Sequence, residues 1–191
     1  MTKITLLERL KEFSEARTRD LLLPVQMQEE DEAPPPDRAP AVYIPSLPEL
    51  RSYARKAPFL THEIVTGKDA ALPRPGGGRA VRSTAVARTC FCVYHPDGQA
   101  GRLALLTLME RLRMGLLEEV VLGKQFKLDL EAGVEALVYP VNPNQTAEAP
   151  FYLGEMLTTW QLPVVERRLS SGNEPIDFRG GGYPGGPDGG L

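Results

Sequence analysis

Histidine and cysteine are nearly missing from this 191-residue chain, which has two of each and a single tryptophan. Cys90 and Cys92 are too few and too close together to form a disulfide framework. Their scarcity points to a reducing compartment such as a bacterial cytoplasm. His62 and His95 stand apart, with no polar cluster around either, so little is available for acid–base or metal chemistry. No apolar run approaches the roughly 18 residues of a membrane span. The stretch Thr2 to Asp20 mixes Lys, Glu, Arg and Asp with its leucines, where a signal peptide needs an unbroken apolar run. The chain is therefore expected to be neither exported by that route nor inserted in a membrane. A basic excess is lacking as well. The net charge of -3 disfavours a protein that binds nucleic acid across most of its surface.

What is present suits one domain with extensions. Hydrophobic residues make up 42% of the chain, enough for a core of reasonable size. Ile4, Leu7, Leu10 and Phe13 recur at helical spacing, with Thr5 and Glu8 placed as a capping box and Pro24 limiting the helix after Leu21 to Leu23. An extended linker follows, from the acidic run Glu29 to Glu32 through Pro34 to Pro36. Ala41 to Ile44 reads as a short strand. Phe59 to Val65 reads as another, ending at Gly67. Ala70 to Arg82, with two prolines and three consecutive glycines, reads as a loop.

Val81 to Tyr94 carries the strongest strand signal. Thr89, Phe91 and Val93 point to one side and Cys90, Cys92 and Tyr94 to the other, which predicts a central strand. Leu103 to Val120 is the clearest helix, with Leu105, Met109, Leu112 and Leu116 in one stripe and Gly123 as its stop. Phe126 to Tyr139 alternates on either side of Gly133 and predicts a hairpin. Pro140 to Pro150 reads as a loop, and Phe151 to Val165 as a last strand or strand pair with Trp160 facing the core. Residues 1–169 are thus expected to form a single α+β domain, a mainly antiparallel sheet with helices packed on one face. Residues 170–191 form a glycine-rich extension that lacks the apolar content to fold alone.

Chemical motifs fail on inspection. Gly67-Lys68 lacks the earlier glycine of a phosphate loop, since His62 stands there, and Asp69 replaces the required Ser or Thr. Gly76 to Gly78 has neither the spacing nor the helix of a dinucleotide site. His62-Glu63 begins like a zinc-protease helix, but Thr66 occupies the second histidine position. Cys90, Cys92, His95 and His62 total four zinc-ligand types, yet Cys-x-Cys is not the usual knuckle spacing, and small buried hydrophobes is the better reading of the pair. Asp129, Glu131 and Glu135 lie on the expected hairpin as an ordinary solvated face. No Gly-x-Ser-x-Gly elbow occurs. The expectation is a non-catalytic protein without cofactor or metal.

One asymmetry in charge stands out. Ala70 to Pro96 contains no Asp or Glu, but carries Arg74, Arg79, Arg82 and Arg88. Glu29, Glu30, Asp31 and Glu32 form the opposite pole. Two solvated loops would explain this. A sharper reading makes these eight residues a candidate assembly interface, in which basic and acidic segments meet between subunits.

Thr89 to Glu119 (TCFCVYHPDGQAGRLALLTLMERLRMGLLEE) resembles the central strand and helix of tail terminator, or tail completion, proteins of long-tailed bacteriophages and prophages. Asp129 to Pro140 (DLEAGVEALVYP) and Ala149 to Pro163 (APFYLGEMLTTWQLP) are similar to the strands that complete their sheet, and Leu6 to Phe13 (LLERLKEF) to their opening helix. The loop at Ala70 to Arg82 and the tail after Ser170 depart from the general pattern. The resemblance implies a structural virion protein assembled in the host cytoplasm, a homo-oligomer expected to be a hexameric ring. Such a ring ends tube polymerisation at the head-proximal end of the tail. Its implied partners are the tail tube protein and the head-to-tail connector, with DNA passing through the lumen without specific binding. Two alternatives stand beside it: another neck component, adaptor or stopper, and a small-ligand-binding regulatory domain.

Overall fold

The computed structural model describes residues 2–27, 32–47, 57–73, 79–139 and 150–163. The acidic run up to Asp31, the expected loop at 140–149 and the glycine-rich extension lie outside them. Helix α1 spans Lys3–Thr18. Its N-cap is Thr2, whose extended backbone (φ -131°, ψ 169°) lets the side chain accept from the Thr5 amide at 3.4 Å. The expected capping box at Thr5 and Glu8 is therefore displaced by one turn, because a cap must stand outside the helix and Thr5 is already inside it. The helix also stops short of Leu21 to Leu23. There the backbone turns, and Leu23 pairs with Arg38 in an isolated antiparallel bridge. Leu6, Leu7, Leu10 and Phe13 are buried, but Ile4 is 66% exposed.

The short strand β1, Ala41–Tyr43, runs parallel to β2, Phe59–Pro73, and pairs only with Phe59 to Thr61. β2 continues well past the stop expected at Gly67, and β3 spans Arg79–Tyr94. The loop expected over Ala70 to Arg82 is thus mostly antiparallel ladder, with a bulge between Ile64 and Thr66. Cross-strand pairing overrode local turn propensity here. Ser83 donates to Asp69, and Gly76 to Gly78 lie outside the described residues.

Helix α2, Gly98–Glu119, begins a turn earlier than Leu103 because Asp97 caps it, accepting from the Ala100 amide at 2.7 Å. Leu105, Leu108, Met109, Leu112 and Leu116 are buried, as the stripe required. Val120 turns the chain with φ 54° and Gly123 with φ 56°. Gly101 lies against the Tyr152 ring. A Cβ there would fall 2.1 Å from a ring carbon. In a free helix Gly→Ala stabilises by about 1 kcal/mol. At Gly101 the sign should reverse, with Gly101→Ala losing roughly 1–3 kcal/mol in urea unfolding.

The hairpin expected over Phe126 to Tyr139 does not form. β4 (Val121–Leu122) pairs with β5 (Phe126–Leu128), and β5 and β6 (Val134–Val138) lie end to end along one edge of β7, Phe151–Leu162. The long β7 edge satisfies the backbone of both segments, and the Asp129 amide donates to Thr159 O at 2.8 Å to hold the chain between them. The fold is α+β, with a mostly antiparallel sheet that has seven strands among the described residues and in which β3 and β7 are central. Both helices pack on one face, over Leu60, Ala87, Phe91, Met156 and Trp160. The other face carries a smaller cluster of Leu47, Ala57, Phe59 and Cys92. No helix among the described residues is long and apolar enough to cross a membrane.

Candidate assembly surface and the open sheet face

Alternation along β2, β3 and β7 divides the side chains between a helix-covered face and an open one. Thr61, Glu63, Arg88, Cys90 and Glu155 lie on the open face. They floor a groove of about 560 Å³ whose walls include Leu47, Phe151 and Leu153. Arg88 Nε donates to Glu63 Oε1 at 2.6 Å. The Tyr139 hydroxyl bonds to the Glu155 carboxylate, which raises the phenol above its usual range. Burial pushes the Cys90 thiol up, and that of Cys92 to about 12, so both remain protonated and unreactive at neutral pH.

The eight candidate interface residues fare differently. Glu29, Glu30, Asp31 and Arg74 lie outside the described residues, as does the side chain of Arg79, which opens β3. Glu32 is exposed. Arg82 donates to Asp129 Oδ2 at 2.6 Å, and Arg88 to Glu63. These two arginines have their acidic partners in their own chain, one on the turn before β6 and one on the neighbouring strand. Cross-strand register decides those pairs, so sequence distance hid them.

His62 points to the opposite face from Cys90 and Cys92, so these potential ligands do not converge. Among the described residues no group of three or more His, Cys, Asp or Glu is placed to hold a metal. His62 Nε2 instead hydrogen-bonds Ser14 Oγ at 2.8 Å and Nδ1 bonds Thr89 Oγ1 at 2.9 Å. The connectivity is that of a nucleophile and base, but Ser14 and His62 are 0% exposed and Thr89 1%, so substrate has no access to it in this conformation. The triplet ties α1 to the sheet. The period-two run Leu60, His62, Ile64 was the available signal that His62 shares the core face. Desolvation lowers its pKa to about 3, so the imidazole is neutral.

No family model matches the chain, and no curated protein is similar to it.

Proposed function

We propose that this chain is a non-catalytic ring subunit that terminates a long phage tail. A hexamer would sit on the head-proximal end of the tail tube, stop its polymerisation and present a second surface to the head-to-tail connector. DNA would pass through its lumen without sequence readout.

The observation that supports this reading is the β2–β3 arm. Among the described residues, pairing of β7 with β3 begins at Ser83, so the ribbon from Ala70 to Pro73 and Arg79 to Arg82 extends beyond it. Leu72 is 42% and Val81 45% exposed, one on each face of the ribbon. A two-stranded ribbon is marginal in water by itself. Exposed aliphatics on both faces suit an element that is covered by a neighbouring molecule. A repeated heterologous contact that closes into a ring is one way to meet that need.

The test is the native mass of the protein alone and with tail tube subunits, together with tube length by electron microscopy. A six-copy ring, or a monomer that becomes a ring on tubes and arrests their growth, is expected. A monomer or dimer indifferent to tubes would remove the reading. Binding to connectors but not tubes would select the adaptor or stopper alternative. The open-face groove favours the small-ligand reading as the second choice, for which a dimer with a ligand-induced melting shift is the signature.

A further inference from the structure

We propose that copies of this chain join head to tail, the outer edge of β6 in one copy pairing with the outer edge of β2 beyond Thr61 in the next. The sheet runs β2-β3-β7-β6 across its middle, so β2 and β6 are its two opposite margins. β1 covers β2 only as far as Thr61. Among the described residues nothing pairs with the outer edge of β2 from Glu63 onward, nor with that of β6. Unpaired edges of this kind are templates for another strand.

The orientation of the β6 edge follows from one hydrogen bond. The Tyr139 amide donates to Leu153 O at 2.9 Å. In an antiparallel ladder every second residue faces its partner, so Leu137 and Glu135 also face β7. Val134, Ala136 and Val138 therefore turn their N–H and C=O groups outward.

The side chains beside the two edges match. Beside Glu63 and Ile64 of β2 lies a groove of about 550 Å³, lined also by Ile4, Leu7, Ile44 and Pro45, with Lys3 and Glu63 as its charged members. Val134, Ala136 and Val138 lie on the helix-covered side of β6, since they pair with buried Thr158 and Met156 and with Gly154. In an antiparallel pairing Val138 would enter the mainly apolar groove at Ile64, with Ala136 beside Gly67. On the open side Lys68 of β2 and Glu135 of β6 are both exposed, and no ion pair forms to either among the described residues. Lys68 would meet Glu135 of the next copy, which fixes register and selects head-to-tail over head-to-head contact.

Strand sense also agrees. β6 is antiparallel to β2 within one chain, by three successive antiparallel steps. Rotation about an axis along the strands preserves that sense, so the edges of adjacent copies meet antiparallel. Closure into a ring rests on the function proposed above, whereas the edge pairing itself requires only self-association.

The experiment uses the full chain at low salt, with native mass as the readout and a circular-dichroism melt as the control for folding. Lys68→Glu or Glu135→Lys alone is expected to raise the concentration for half-assembly about tenfold, and the two together to restore it. Ala136→Pro removes an outward N–H without touching the β6–β7 ladder, and is expected to abolish assembly with an unchanged melt. If the native protein forms rings and all of these variants do so equally well, the edge pairing is wrong and the ring reading survives. If the native protein never self-associates, with or without tubes, both fall.

Discussion

Lowering the pH from 7 to 5 is expected to destabilise the folded chain by about 2 kcal/mol through His62 alone. Its imidazole is enclosed between α1 and the sheet, and loss of hydration lowers its pKa from 6.5 to about 3. The unfolded chain takes up a proton below about 6.5, and the folded chain does not do so until about 3. Between those values the unfolded state binds more protons, so stability falls as pH falls. Above that window the contribution is present in full. The carboxyls of Asp20 and Glu110, lowered by Arg111 and Arg113 from 3.8 and 4.5, contribute mainly below about pH 5, in the acid part of that window. For a chain of this size the change corresponds to a drop of roughly 4–8 °C in Tm. His62→Gln should flatten the profile between pH 7 and 5, at some loss of stability at pH 7 where the bonds to Ser14 and Thr89 are imperfectly replaced. Equal slopes in the native protein and His62→Gln would show that His62 is hydrated in solution.

Trp160→Ala should have the larger effect, about 3–5 kcal/mol. Trp160 is 0% exposed within its own chain, on the helix side of β7, and is the largest side chain in the core. Its Nε1–H donates to Thr158 Oγ1 at 2.9 Å, and that hydroxyl reaches Ala87 O across the strands. Truncation removes the ring, leaves a cavity between sheet and helices, and strips the Thr158 hydroxyl of a partner. Trp160→Phe keeps most of the apolar surface and loses mainly the hydrogen bond, so a cost of about 1–2 kcal/mol is expected. Urea unfolding of both variants under monomeric conditions is the measurement. A protein whose stability survives Trp160→Ala while assembly fails would make this residue an interface anchor instead of a core one. Since domains are stable by only about 5–15 kcal/mol, the expected loss would leave little margin at 37 °C.

The periodic elements were legible from sequence because each encodes its own environment. The 3.6-residue stripe of Leu105, Met109, Leu112 and Leu116 and the two-residue alternation about Phe91 identify a buried helix face and a central strand without reference to partners. The same holds for the α+β class and for Trp160 as a core residue. Where the sequence misled, the deciding interaction was long-range. Ala70 to Arg82 has loop composition, but its flanks, Ala70 to Pro73 and Arg79 to Arg82, pair in the β2–β3 ladder. Alternation about Gly133 predicts that Val134 to Val138 pairs with Phe126 to Leu128, but both take the edge of β7, which lies later in the chain. Arg82 and Arg88 looked like free basic charge until register brought Asp129 and Glu63 beside them. By itself the sequence determined the buried stripe of the long helix and the alternation of the central strands, since hydrophobic periodicity is a local property. Only the tertiary structure decided which strand edges stay open, which charges remain for a partner and how His62 is buried, because each depends on pairing between segments distant in the chain.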